Sequence, residues 1–125
     1  MLDLHENKIS KIDSLGKLTN LRVLNLSNNL IEVIENLGGL KSLVELNLRK
    51  NKITIVKELQ GLNSLQKLYL SNNNISSFEN VRDLPSLTDL TLENNPIEKA
   101  LKFQLIIKEK FPSVQFLNLQ KLQIV

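Results

Sequence analysis

The only histidine, His5, is the first residue to test for chemistry, because an imidazole can act as a general base or bind a metal at neutral pH. The 125 residues contain no second histidine and no cysteine, so the usual nitrogen and sulfur ligands of a zinc site are missing. His5 lies in the alternating run Leu2-Asp3-Leu4-His5, at an outward position of a strand. We therefore predict a solvated surface histidine.

Other patterns that support catalysis are also missing. The sequence contains neither a G-x-x-x-x-G-K phosphate-binding loop nor a G-x-G-x-x-G dinucleotide fingerprint. Its Asp and Glu residues are spread along the chain, whereas glycoside hydrolysis needs two carboxylates that face each other. We predict a chain that is not an enzyme and has no catalytic, metal-binding or cofactor-binding residues, and no cofactor.

Charge and composition indicate which classes of partner the chain could bind. The net charge is +3 and the pI about 9.2, but charges of both signs are interspersed and only 4% of residues are aromatic. A nucleic-acid binder concentrates Lys and Arg on one face and adds aromatic rings for stacking. The chain also lacks the apolar core of a signal peptide and any long apolar run. We expect a cytoplasmic protein that binds neither nucleic acid nor membranes.

An internal repeat of 22 residues dominates the sequence. One unit, residues 43–53, reads L-x-x-L-x-L-x-x-N-x-I, and its alternating part turns Leu46 and Leu48 inward. The asparagine column should satisfy backbone groups where the chain bends after each strand, because an amide both donates and accepts. These predicted ladder residues are Asn7, Asn29, Asn51, Asn73 and Asn95.

The repeat unit and its asparagine column resemble the 22-residue class of leucine-rich repeats. This class is found in intracellular regulators, including nuclear regulators of protein phosphatase 1 and several ciliary and axonemal proteins. The resemblance implies an α/β fold, a right-handed solenoid with a parallel β-sheet on its concave face. Short 3₁₀ or loop returns would form the convex face. It also implies a non-catalytic module that binds a protein partner on the concave face.

The two ends of the repeat array differ. Residues 1–95 read as repeats, of which the first is incomplete, and 96–125 as a C-terminal cap with a helix over about 97–110 and a closing strand over about 114–119. Asn95 precedes Pro96 and could serve either the ladder or the helix cap. The first repeat leaves Leu2 and Leu4 without a preceding unit. We expect a longer parent protein, or self-association through this N-terminal end.

The outward strand positions escape the constraints of the repeat and are the candidate binding residues. Arg49 and Tyr69 are the strongest individual candidates, because Arg and Tyr are enriched in interface hot spots. The alternative is that the charges pair across strands and only maintain solubility. The predicted partner-binding residues are Val23, Glu45, Arg49, Lys67, Tyr69, Asp89 and Phe116.

Residues 45–81 also resemble the leucine-rich-repeat subunits of tubulin polyglutamylase complexes, in the ELNLR and NNISSF segments. This narrower resemblance implies a scaffold within an assembly at the cytoskeleton, centrosome or cilium. The alternative from the broader resemblance is a regulatory subunit of a protein phosphatase. The sequence does not identify the partner.

Overall fold

The computed structural model describes residues 1–57, 59–79, 81–82 and 84–122. The described residues form short strands, a 3₁₀ helix and an α-helix. The strands are β1 (Leu2–Asp3), β2 (Val23–Asn25), β3 (Val33–Ile34), β4 (Glu45–Asn47), β5 (Ile55–Val56), β6 (Lys67–Tyr69), β7 (Asp89–Thr91), β8 (Phe116–Leu117) and β9 (Gln120–Lys121).

The large sheet contains seven strands in the order β1-β2-β4-β6-β7-β8-β9. All its pairs are parallel except β8 with β9. From β1 to β7, each strand pairs in a register that joins residues 22 positions apart, for example Leu24 with Leu46 and Leu46 with Leu68. These leucines are fully buried, because each short strand covers its apolar side only by stacking on the next unit. The predicted leucine-rich-repeat solenoid is confirmed.

The convex side consists of turns and loops. Several contain a hydrogen bond from an amide to the carbonyl three residues earlier, as from Leu62 to Leu59 and from Leu65 to Leu62. This is the 3₁₀ pattern, confined here to single turns. The returns also form a second parallel sheet, β3 with β5, which we did not predict. Val56 and Leu59 are buried beneath this side.

The repeat asparagines bond the backbone of two consecutive units. Asn51 Nδ2 lies 3.0 Å from the carbonyl oxygen of Leu26, 3.1 Å from that of Leu48 and 3.3 Å from that of Arg49. Its Oδ1 accepts a hydrogen bond from the amide of Ile31 at 3.1 Å. One side chain thus satisfies groups in its own turn and in the preceding unit. Equivalent bonds are made by Asn29, Asn73 and Asn95.

Two positions of this column have individual features. Asn95 makes the ladder bonds and no side-chain bond to cap the following helix, which answers the question that the sequence left open. Asn7 is exposed and donates only to the carbonyl oxygens of Leu4 and His5 within the described residues. At the first repeat, therefore, the asparagine bonds only its own turn.

The cap differs from the single helix predicted over about 97–110. A 3₁₀ helix covers Pro96–Lys99, and the α-helix α1 begins at Phe103 and ends at Lys110. Between them Ala100 is extended and Lys102 is left-handed, with φ of 59°. The break keeps Ile97 buried at its repeat position while α1 turns Ile107 into the core.

The closing strand is also shorter than predicted. Instead of about 114–119, β8 covers Phe116–Leu117 and pairs with β9 in an antiparallel hairpin. Asn118 and Leu119 form the two-residue turn, and both have positive φ, as a tight hairpin of this twist requires. The last residues of the predicted cap, 123–125, lie outside the described residues. No helix in the described part of the chain is long and apolar enough to cross a membrane.

Candidate functional site on the concave face

The first outward position of each strand forms a row across the concave sheet. Register pairs join Val23 to Glu45, Glu45 to Lys67, Lys67 to Asp89, and Asp89 to Phe116. Neighbouring strands in a sheet are about 4.8 Å apart, so these side chains are immediate neighbours. We call Val23, Glu45, Lys67, Asp89 and Phe116 the charged row. The structure thus brings five of the seven predicted partner-binding residues into one line.

The second outward positions form a parallel row around Tyr69. Asn47 and Thr91 are its register partners on either side. Thr91 is buried and its Oγ1 accepts a hydrogen bond from the amide of Leu70, while Asn47 Oδ1 accepts one from the amide of Arg49. The neighbours of Tyr69 are therefore short side chains engaged with backbone. The alternating strand pattern does not indicate this bond of Asn47.

Arg49 lies over the ring of Tyr69. The guanidinium carbon is 4.2 Å from the ring centroid, which is the geometry of a cation–π interaction. Burial of Tyr69 raises the pKa of its phenol, and the nearby carboxylate of Glu45 raises it further. The two strongest candidates from the sequence are thus in direct contact, although they come from consecutive repeats. Both side chains are half-buried, so part of the pair remains accessible to a partner.

The charges of this face do not pair with one another. Among the described residues, the single ion pair is between His5 and Asp3. Glu45 and Lys67 are register neighbours of opposite charge, as are Lys67 and Asp89, yet neither pair approaches within 4.0 Å. No cross-strand ion pair of this face is present in the part of the chain that the structure describes. Lys67 is exposed, and Glu45 and Asp89 are half-buried, so all three charged side chains are at least partly accessible to a partner.

His5 is exposed and contacts Asp3, with 2.6 Å between Nδ1 and Oδ1. The hydrogen bond to Asp3 raises the pKa of His5, and the same contact lowers the pKa of Asp3. No hydroxyl nucleophile bonds to this imidazole in the described residues, and they contain no cluster of three His, Asp or Glu side chains that could hold a metal. The pair can exchange a proton with solvent, and it lies outside the charged row.

A groove next to the cap was not predicted. A cavity of about 420 Å³ lies between the turn at residues 76–79 and the cap, and Phe78, Ile97, Ala100 and Ile106 form its apolar wall. Ile106, on α1, has 39% of its surface exposed at this groove.

Solved structures similar to this chain support the fold independently. A chain of the Drosophila melanogaster SNF/U2A′ complex superposes with a TM-score of 0.88 at 27% identity, covering 97% of this chain and 73% of that one. A leucine-rich-repeat protein of Leptospira interrogans gives 0.77 at 30% identity, covering 92% and 30%. The TLR13–ssRNA13 complex gives 0.64 at 33% identity, covering 75% and 18%.

Sequence comparisons give the family but not a more specific relative. No curated protein matches the chain. The resemblances to the 22-residue class and to polyglutamylase subunits therefore stay resemblances. A leucine-rich-repeat family matches residues 1–125, the whole length. With its repeat register, its buried leucine columns and this match, the chain belongs to the leucine-rich-repeat family.

Proposed function

We propose that this chain is a non-catalytic protein-interaction module that binds its partner on the concave face, through the charged row and the Arg49–Tyr69 pair. The observation that carries the proposal is the unpaired charge: Glu45, Lys67 and Asp89 alternate in sign on adjacent strands without ion pairs in the described residues. A solenoid presents such a face to partners because its strand positions tolerate variation.

The similar structures favour a protein partner, and one of them leaves a nucleic-acid partner open. The SNF/U2A′ structure is a complex, which agrees with binding in this fold. The TLR13 structure contains single-stranded RNA, so our expectation that nucleic acid is not a partner is unconfirmed. We retain a protein partner as the proposal, because Tyr69 is the central aromatic of the face and both signs of charge surround it. A nucleic-acid face would be mainly basic.

The cellular role proposed for the module is scaffolding in a microtubule- or cilium-associated assembly, in the cytoplasm, at the cytoskeleton, the centrosome or the cilium. It rests on the resemblance of residues 45–81 to subunits of tubulin polyglutamylase complexes. The alternative is a regulatory subunit of a protein phosphatase, which rests on the broader repeat resemblance. Both roles use the same concave surface and differ in the partner.

Quantitative affinity capture from extract of ciliated cells tests both levels of this proposal. The bait is compared with Arg49→Ala/Tyr69→Ala and with a matched double variant on the cap, Lys99→Ala/Lys102→Ala. We expect the first variant to lose its specific partners at an unchanged melting temperature, and the second to keep them. Tubulin-modifying enzymes among those partners would support scaffolding, and phosphatase catalytic subunits the alternative. Loss only in the cap variant would contradict the concave assignment.

A further inference from the structure

The charged row has an order that a partner must match. From one end to the other it presents an apolar side chain, an acid, a base, an acid and an aromatic ring: Val23, Glu45, Lys67, Asp89 and Phe116. No ion pair involves Glu45, Lys67 or Asp89 within the described residues, and Asp89 accepts a hydrogen bond from its neighbour Thr88. Phe116 leaves 38% of its surface exposed. Any bound segment would meet these groups in sequence.

Arg49 adds a second cation at the centre of the row. Its stacking on Tyr69 holds it on the concave side, one unit from Lys67. Tyr69 is close enough to Glu45, Lys67, Asp89 and Arg49 for each to influence its pKa, although burial is the larger cause. The centre of the face is therefore basic and its two flanks are acidic.

The spacing of the row selects the secondary structure of the partner. Strands in a sheet repeat about every 4.8 Å. An α-helix laid across them presents one turn about every 5.4 Å. An extended chain repeats its facing side chains about every 6.7 Å, because two residues of about 3.3 to 3.4 Å separate them. Over four strand steps the helix loses register by about 2.4 Å, which long basic side chains can absorb, whereas the extended chain loses more than a full step.

We propose, on the basis of the function proposed above, that the occupant of the concave face is an amphipathic α-helix of a partner protein that lies across the strands. Its facing residues, one per turn over about 15 residues, are apolar, basic, acidic, basic and apolar. The basic residues bind Glu45 and Asp89, the central acid binds Lys67 and Arg49, and the apolar ends pack on Val23 and Phe116.

A selection experiment tests this occupant without a known partner. The probe is a library of displayed helical peptides whose five facing positions are randomised, panned against the 125-residue chain and sequenced. We expect enrichment of Asp or Glu at the centre and of Lys or Arg one turn away on each side. Panning against Lys67→Glu should exchange the central acid for Lys or Arg, while the exposed control Lys52→Glu should leave it unchanged. Circular dichroism verifies that both variants are folded.

Binding measurements with single selected peptides then give the size of the change in affinity. A selected peptide should bind Lys67→Glu about tenfold more weakly than the parent chain, and its variant with a reversed central charge should recover the loss. Binders without the alternating charges, or with the same central acid against Lys67→Glu, would overturn the inference. If cellular partners depend on Arg49 and Tyr69 but no helical peptide is enriched, the proposed function stands and the helix proposal fails. If helical peptides bind as expected but the cellular partners do not depend on Arg49 and Tyr69, the proposed function fails and the preference of this face for a helix stands.

Discussion

At the scale of single residues, Asn51 illustrates how one side chain can stabilise two repeats. It is almost fully buried, and its amide satisfies three carbonyl oxygens and one backbone amide across two units. We expect Asn51→Ala to lower the free energy of unfolding by about 1–3 kcal/mol, because it leaves buried backbone groups without a partner. Asn47→Ala removes one partly buried bond, to the amide of Arg49, and should cost about 0.5–1.5 kcal/mol. Urea denaturation measures both.

Asn63→Ala is the control for that comparison. Asn63 is exposed, and its side chain makes no hydrogen bond among the described residues, so the change should stay within about 0.5 kcal/mol. Equal unfolding midpoints for Asn51→Ala and Asn63→Ala would contradict the ladder. The column itself could be predicted from the recurrence of asparagine. The bond of Asn47 could not, because it depends on the local conformation before Arg49.

A second residue-scale prediction concerns the position before each ladder asparagine. This position is left-handed in all five repeats: it is Asn28, Asn72 or Asn94 in three of them, but Glu6 in the first, and Lys50, with φ of 56°, in the third. The left-handed conformation costs most residues about 1–2 kcal/mol, and asparagine tolerates it better. We expect Lys50→Asn to raise the free energy of unfolding by about 0.5–1 kcal/mol, measured in urea. Lys52→Asn makes the same chemical change where φ is negative, and an equal gain there would contradict the explanation.

The His5–Asp3 pair gives a prediction about pH. The pKa of His5 is raised above its ordinary 6.5 mainly by the hydrogen bond to Asp3, and the pKa of Asp3 is lowered below 3.8 by the same contact. Because the folded value for His5 is higher, its stabilising effect is complete below 6.5 and is lost as the pH rises through the folded pKa. The effect of Asp3 is present above 3.8 and is lost as the pH falls through its folded pKa.

Titration of the His5 imidazole by NMR checks this assignment. Asp3→Asn should lower the pKa of His5, because it removes the largest cause of the upward shift. Glu6→Gln is the matched control, since Glu6 contributes the smallest of the recorded effects. If Glu6→Gln lowers the pKa as much as Asp3→Asn does, a general field effect rather than the 2.6 Å contact would explain the shift.

At the scale of elements, the cap is held to the repeats by aromatic packing. Phe111, the residue after α1, is fully buried, and its ring meets that of Phe78 at 5.4 Å in an edge-to-face arrangement. We expect Phe111→Ala to lower the free energy of unfolding by about 3–5 kcal/mol in urea. Leu101→Ala, where 91% of the surface is exposed, should change it by about 0.5 kcal/mol or less. Similar effects of the two changes would mean that the cap does not close the core.

Elements that obey the regular repeat could be predicted from the sequence, and elements that depart from it could not. The strands and the leucine columns are fixed by alternation at a constant step, and the structure reproduces them. The break at Ala100–Lys102 and the hairpin at Asn118–Leu119 could not be predicted, because Lys102 and Leu119 adopt left-handed backbone that their side chains do not favour, and only Asn118 is of a type that tolerates it.

At the scale of the candidate site, strand alternation predicts which residues share the concave face. It does not predict whether their charges form ion pairs. The sequence predicts that Glu45, Lys67 and Asp89 face the same side, and register places them on adjacent strands. Whether they pair depends on rotamers, which a repeat pattern does not specify. The stacking of Arg49 on Tyr69 likewise requires the two units to be superposed before the contact can be recognised.

At the scale of the whole molecule, a solenoid is stabilised by nearest-neighbour contacts, so its stability should vary along the stack. The amide of Leu4 donates to Asn25 at 2.8 Å, and the amide of Leu48 donates to Tyr69 at 2.9 Å, so the two hydrogen bonds are equivalent in length. Leu4 is nevertheless only half-buried, whereas Leu48 is fully buried between units on both sides. We expect the amide of Leu4 to exchange with solvent deuterium much faster than that of Leu48.

Hydrogen exchange on this 125-residue chain measures how stability varies along the stack, and light scattering measures whether the chain self-associates. Fast exchange at Leu4 in a monomer would show that β1 opens locally, because it has one neighbouring strand to stabilise it. Equal protection of Leu4 and Leu48 in a concentration-dependent dimer would instead support self-association through the β1 edge, since a second edge would pair its backbone groups. Equal protection in a monomer would contradict the nearest-neighbour account, because a half-buried strand would then be as stable as one buried between two repeats.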